Sequence, residues 1–196
     1  MKQIVLATRN SHKIRELKFL LNGLPLEVLT LKDFPQIGPL VEDGSTFEEN
    51  ALRKARQVSQ QTNLATLADD SGLEVFFLNG RPGVYSARYA GVGATDGANN
   101  AKLLEEMRGV APRRRTAQFR AVLAFVGKGF EIARDGICPG GLVEYPTGSN
   151  GFGYDPLFMP SGFSITYAQL TAEEKNRISH RSRAFDKMRP ILLNYK

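Results

Sequence analysis

The chain has 196 residues, 42% apolar and 23% charged, an ordinary soluble balance with length enough for one sizeable core or two lobes sharing a sheet. A formal net charge of +6 favours anionic partners such as nucleotide phosphates, nucleic acid or acidic surfaces. The single cysteine, Cys138, excludes an internal disulfide, fits a reducing compartment and reads as a small buried filler; no apolar run approaches the roughly 18 residues of a membrane span, so a cytoplasmic protein with no membrane partner is expected.

Gln3 to Ala7 reads as a buried strand and Thr8-Arg9-Asn10-Ser11-His12-Lys13 as the turn into a helix, with Asn10 or Ser11 as its cap. Ile14, Leu17, Leu20, Leu21 and Leu24 form the apolar stripe, and Gly23 marks the stop. Arg9, Lys13 and Arg15 crowd the end where the helix dipole is already positive. Such placement makes sense if an anion sits on the free N–H groups there; three solvated charges are the alternative. Neither a G-x-x-x-x-G-K-[ST] loop nor a G-x-G-x-x-G following a strand occurs. Leu26 to Leu31 reads as a second strand, and a loop through Pro35, Gly38 and Pro39 leads to Glu42-Asp43-Gly44. Ser45 or Thr46 with Glu48 or Glu49 makes a capping box for a helix to about Gln60 that buries Phe47, Ala51, Ala55 and Val58. Asn50 and Lys54 fall on the edge of that apolar face, where they line a cleft or reach a buried partner, or where the lysine simply snorkels.

Ala65 to Ala68 is an apolar run of strand length that stops at two carboxylates, Asp69 and Asp70. Ser71 and Gly72 are turn residues, and a second β-prone run, Leu73 to Leu78, follows. This pattern predicts a hairpin with the acids at a strand end, facing open space. Adjacent carboxylates need a counter-cation, a shared proton or full solvation. A hard cation such as Mg²⁺, with Glu42 as a third carboxylate, is the functional reading; a solvated β-turn is the plain one.

Arg81 to Gly91 reads as a turn and a short irregular or helical piece, and Thr95 or Asp96 opens a helix through Leu103, Leu104 and Met107. Pro112 to Arg115 reads as a solvated basic loop. Ala117 to Val126 and Phe130 to Ile137 form an expected antiparallel hairpin, with Gln118, Arg120 and Arg134 on its solvent side. In Pro146 to Pro156, Phe152 lies between two glycines and Asp155 follows, an aromatic face beside an acceptor that suits a purine; a glycine-rich turn plugging the core is the alternative. Thr171 and Glu174 form a capping box ahead of Lys175. Ser179-His180-Arg181 leads into a last helix through Phe185, Met188, Ile191 and Leu192, kinked or broken near Pro190.

The ordered set Thr8 to Lys13, Thr46 to Ala51, Ala68 to Gly72, Pro82 to Gly91, Gly151 to Pro156, and Glu174-Lys175 with Ser179 to Arg181 resembles the non-canonical purine NTP pyrophosphatase family. The resemblance spans nearly the whole chain. It implies an α/β fold, an elongated mixed β-sheet with flanking helices and two lobes around a central cleft, in one domain over 1–196. It further implies a Mg²⁺-dependent, homodimeric enzyme that hydrolyses ITP, dITP and XTP to the monophosphate and pyrophosphate. By the same resemblance, Thr8, Arg9, Asn10, Ser11, His12 and Lys13 hold the phosphates, with Ser71 and Lys175 also on substrate. Asp70 is the implied general base and metal ligand, Glu42 a further ligand and Asp69 a supporting carboxylate. Phe152, Gly153, Tyr154, Asp155, His180 and Arg181 hold the purine, the last two as donors to its 6-oxo group. Arg9 departs from the family, in which many members carry Gly at that position. A nucleic-acid-binding module stacking bases on Phe152 is the alternative from another class, but the carboxylates would repel a phosphate backbone unless metal-bound, and no stable nucleic-acid partner is expected. A related pyrophosphatase acting on modified pyrimidines is disfavoured by Phe152, Asp155 and the His180-Arg181 pair.

Overall fold

Apolar runs of strand length at Lys2–Leu6 (β1), Leu26–Thr30 (β2) and Ala65–Val75 (β3) pair in parallel, Ile4 lying opposite both Val28 and Ala65. In this computed structural model, which describes residues 2–195, the sheet continues with β4 (Thr116–Gly127), β5 (Phe130–Leu142) and β6 (Phe158–Pro160). Its order is β2-β1-β3-β4-β5-β6. β4 and β5 are joined by the short turn at Lys128-Gly129, and β6 pairs antiparallel to β5, so the sheet is mixed, as expected. Among the described residues five α-helices accompany it: α1 (Ser11–Leu21), α2 (Phe47–Thr62), α3 (Asp96–Glu106), α4 (Ala172–Ile178) and α5 (His180–Leu193).

The chain divides into two compact units. The first comprises the chain up to Asp70, Ala121–Gly136 and the segment from Arg181 onward. Alternate residues of its strands (Ile4, Leu6; Ala65, Leu67; Ala121, Leu123, Phe125) share one core with Leu17 and Leu21 of α1 and Ala184, Phe185, Met188 and Leu192 of α5. The intervening Val5, Val122, Ala124 and Val126 are buried too, the pattern of strands covered on both faces. The second unit, Ser71–Arg120 with Ile137–His180, has its own core of Leu73, Val75, Leu103, Met107, Phe119, Tyr154, Leu157, Phe158 and Tyr167. Cys138 is a buried member of it, the filler that its composition suggested.

Four expectations are corrected. Asp69-Asp70-Ser71-Gly72 is not a turn but the interior of one continuous eleven-residue strand, β3, and no hairpin follows. Gly72 serves close approach instead of a bend: a Cβ there would meet the Ser86 hydroxyl and lie 2.5 Å from the Gly83 carbonyl oxygen. Ser86 Oγ accepts from Leu73 N–H at 3.0 Å and donates to Gly83 O at 2.7 Å, stitching β3 to the 3-10 turn Gly83–Arg88. Arg115 is not solvated but 4% exposed, donating to the carbonyls of Leu142, Met107 and Val143, while Arg113 and Arg114 do remain outside. Gln118, also expected on the solvent side, is half-buried and donates to Glu74 at 2.6 Å. Finally, α5 is not broken at Pro190 but runs through it to Leu193, the proline sitting in the last turn.

Candidate functional site

Neighbouring side chains on a strand point to opposite faces, and this resolves the problem of two adjacent acids. Asp69 shares the face of Ala65 and Leu67, with α1 and α5; Asp70 takes the other, with α2. Asp69 is 0% exposed. Arg181 Nε and Nη2 donate to its two oxygens at 2.9 and 3.2 Å, and Lys13 Nζ lies 2.6 Å from Oδ1. Burial alone would raise the pKa of Asp69, but the charges of Arg181 and Lys13 outweigh it and hold the carboxyl far below its ordinary range. Arg181 is also bonded through Nη1 to Glu16.

On the opposite face, Lys54 Nζ sits among three oxygens: Glu42 Oε1 at 2.6 Å, Asp69 carbonyl O at 2.7 Å and Asp70 Oδ1 at 2.8 Å. Burial works to lower the Lys54 pKa, and the charges of Asp70 and Glu42 more than reverse it. Asn50 Nδ2 donates to Asp70 Oδ2 at 3.2 Å, so both residues at the edge of the α2 stripe do reach a buried partner. Helix α2 is capped by Thr46, whose hydroxyl accepts from Glu49 N–H; the Glu49 carboxylate turns back to Ser45 and not to Thr46. Lys13, Lys54 and Arg181 thus face Glu16, Glu42, Asp69 and Asp70, one carboxylate in excess.

The basic turn is partly committed to the fold. Asn10 Oδ1 caps α1 by accepting from His12 N–H at 2.9 Å and Lys13 N–H at 3.2 Å, so two N–H groups foreseen for an anion are taken. Thr8 Oγ1 accepts from Asn10 N–H, His12 Nδ1 lies 2.9 Å from Arg15 Nη2, and Arg9 reaches the Ile37 carbonyl. Arg9 and Ser11 are exposed.

A second group of predicted residues lies in the second unit. Ser71, half-buried, begins that unit's share of β3. Asp155 Oδ2 accepts from Phe152 N–H at 2.9 Å and from Lys175 Nζ at 2.5 Å. That ammonium lies 4.8 Å from the centroid of the half-buried Phe152 ring and 5.5 Å from that of Tyr167. Gly151, at φ +78°, leaves room for the carboxylate, into which a Cβ would run. Gly153 is anchored through both its backbone groups to Asp96 and Asn100 of α3. Tyr154 is 3% exposed, with its hydroxyl donating to Ser86 O, so its ring belongs to the core. His180 is buried and stacked on Phe119, centroids 4.8 Å apart. Lys175 is set by the capping box of Thr171 and Glu174 that begins α4. Arg181, assigned from sequence to the purine beside His180, turns its guanidinium to Asp69 of β3 and Glu16 of α1.

Glu16, Asp96 and Asn100 were not singled out from the sequence. Glu16 alone carried a signal, as an acid on a helix start otherwise crowded with cations. Among the described residues no three His, Cys, Asp or Glu side chains gather as a ready-made metal cage. Glu42 and Asp70 nevertheless converge on one cation, Lys54, and supply the hard oxygen donors that suit Mg²⁺ completed by phosphate oxygens. The residues present fit that ion.

The model of the Ham1 family matches residues 4–191. The chain belongs to the Ham1 family. Among relatives of this Ham1 protein, a dITP/XTP pyrophosphatase from Geobacter sulfurreducens is 50% identical over 185 residues, covering 94% of this chain and 93% of the relative. The structure of a HAM1 protein from Coxiella burnetii is 40% identical with a TM-score of 0.90, covering all of both chains. A nucleoside-triphosphatase / dITP/XTP pyrophosphatase from Mycobacterium abscessus is 43% identical with a TM-score of 0.78, covering 96% of this chain and 99% of that one.

Proposed function

We propose that this Ham1 protein hydrolyses non-canonical purine nucleoside triphosphates (ITP, dITP and XTP) to the monophosphate and pyrophosphate, as a Mg²⁺-dependent cytoplasmic homodimer. The observation that carries this reading is the pair Asp69-Asp70, split across β3 into one carboxylate locked by Arg181 and Lys13 and one gathered with Glu42 around Lys54. The relatives named dITP/XTP pyrophosphatase supply the substrate class. No helix among the described residues is long and apolar enough to cross a membrane.

Water attacks the α-phosphorus, the bond from that phosphorus to the bridging oxygen breaks, and pyrophosphate leaves. Glu42 and Asp70 would hold Mg²⁺, which supplies neutralisation of charge spreading over the phosphate oxygens. Asp70 orients the water and accepts its proton; Asp69 is excluded from that task, being fully buried and kept ionised by two cations. Asn50 fixes the Asp70 carboxylate through Oδ2. Lys13 and its turn serve the triphosphate. In the second unit, Phe152 offers a stacking face, and Lys175 and His180 replace Arg181 as donors to a 6-oxo group. Adenine, with an amino donor at that position, leaves such a donor unpaired at a cost of about 1–3 kcal/mol.

The test is pyrophosphate release across a panel of ITP, dITP, XTP, GTP and ATP, with and without Mg²⁺. Release from the first three with Mg²⁺ is expected, with Asp70→Asn folded and slowed about 100-fold or more. Wild-type turnover in Asp70→Asn would overturn its role; no release from any of the three would overturn the function.

A further inference from the structure

Gly153 is held at both of its backbone hydrogen-bonding groups by one helix. Its N–H donates to Asp96 Oδ2 at 2.6 Å, and its carbonyl accepts from Asn100 Nδ2 at 3.0 Å. Asp96 and Asn100 stand four residues apart on α3, hence on one face. The Asn100 amide is buried, and its Oδ1 has no hydrogen-bond partner. The donor end of the amide is the one turned to Gly153. The preceding peptide is pinned as well, since Phe152 N–H donates to Asp155. The helix that holds Gly153 is itself fixed: Thr95 caps it, and Asn99 accepts from Ala90 N–H and donates to Ala87 O. Gly153 adopts φ +60°, a left-handed conformation in which a chain left to itself has alternatives.

We propose that Asp96 and Asn100 are positioning residues for base recognition, acting through Gly153 to set the direction of the Phe152 ring. This rests on the reading of Phe152 as the purine's stacking platform. The clamp fixes the backbone before the nucleotide arrives, so the entropy of ordering the loop is not lost on binding. Its loss therefore appears in KM and leaves the chemical step alone.

The experiment compares wild type, Asp96→Ala, Asp96→Asn and Asn100→Asp by steady-state pyrophosphate release from ITP, and by amide hydrogen exchange over residues 149–155 without nucleotide. Asp96→Ala is expected to raise KM about tenfold, the equivalent of one hydrogen bond, with kcat within about twofold of wild type. Asp96→Asn, whose amide oxygen still accepts from Gly153 N–H, is expected to restore KM. Asn100→Asp sets a carboxylate against the Gly153 carbonyl and is expected to raise KM at least as far; should it not fold, the two Asp96 variants decide. Exchange over 149–155 is expected to quicken in Asp96→Ala and not in Asp96→Asn. An unchanged KM in Asp96→Ala, an equal loss in Asp96→Asn, or unchanged exchange would overturn the clamp. A wild type that releases no pyrophosphate from ITP would overturn the proposed function, and exchange would still judge whether Asp96 holds the loop.

Discussion

Replacing Arg181 with Met tests the buried half of the carboxylate pair. The guanidinium side chain is 1% exposed and the Asp69 carboxylate 0%, so the variant takes the bidentate cation from Asp69 and leaves a buried carboxylate that water does not reach. Breaking a buried ion pair by removing one partner costs about 3–5 kcal/mol. For a protein of this size each kcal/mol lowers Tm by about 2–4 °C, so a fall of about 6–20 °C is expected at pH 7. The pH dependence has a fixed sign. Burial opposes ionisation of Asp69, Arg181 and Lys13 overcome it, and the folded pKa lies below the unfolded one of about 3.9. Stability from such a group is fully present above the unfolded pKa and is lost as pH falls toward the folded one. The advantage of wild type over Arg181→Met is thus full at pH 7 and shrinks below about pH 4. Urea melts at a series of pH values measure it. A loss under about 1 kcal/mol at pH 7, or a gap that widens in acid, would refute the reasoning.

Lys54→Met takes the shared ammonium away from Glu42 and Asp70, and Mn²⁺ affinity measured by calorimetry without nucleotide is expected to rise about tenfold or more. The same measurement on Lys13→Met, which removes an equal charge from Asp69, is expected to show a smaller rise. Gly72→Ala should cost about 1–3 kcal/mol in urea melts, because the new methyl meets the Gly83 carbonyl and the Ser86 hydroxyl. Cys138, 2% exposed, should react with a thiol reagent only on unfolding; stoichiometric reaction of the native protein would show that it is not a core filler.

Most strands and helices were legible because their signals are local: the α1 stripe, the Thr95 and Thr171 caps and the β4-β5 hairpin are each written in one contiguous stretch of chain. Asp69 to Gly72 was misread for the opposite reason. Asp, Ser and Gly are poor strand formers, and what keeps them extended is Arg181, 112 positions away, together with Lys54 and the Ser86 turn. Arg115 was misread likewise, since its three carbonyl partners come from Met107, Leu142 and Val143, which no local pattern joins to it. Asn50 and Lys54 were legible as misplaced polar residues on an apolar stripe; that their shared target is Asp70 was not.

The cations at the start of α1 looked anomalous because a helix N-terminus repels positive charge. Part of the explanation is internal. Lys13 lies in the first turn of α1 and Arg181 is the second residue of α5, so two cations stand at two positive helix ends, and the Asp69 carboxylate faces both. One buried anion thereby makes both placements tolerable. The two partners are not equivalent. Arg181 grips both oxygens of Asp69 and reaches Glu16 with a third nitrogen, whereas the Lys13 side chain is 14% exposed and meets Asp69 at Oδ1. On the proposed function, an arriving triphosphate would find in Lys13 a cation able to turn outward while Asp69 keeps its charge compensated by Arg181. The anchoring role belongs to the arginine and the exchangeable role to the lysine, a division set by the fork geometry of one side chain and the flexible stem of the other.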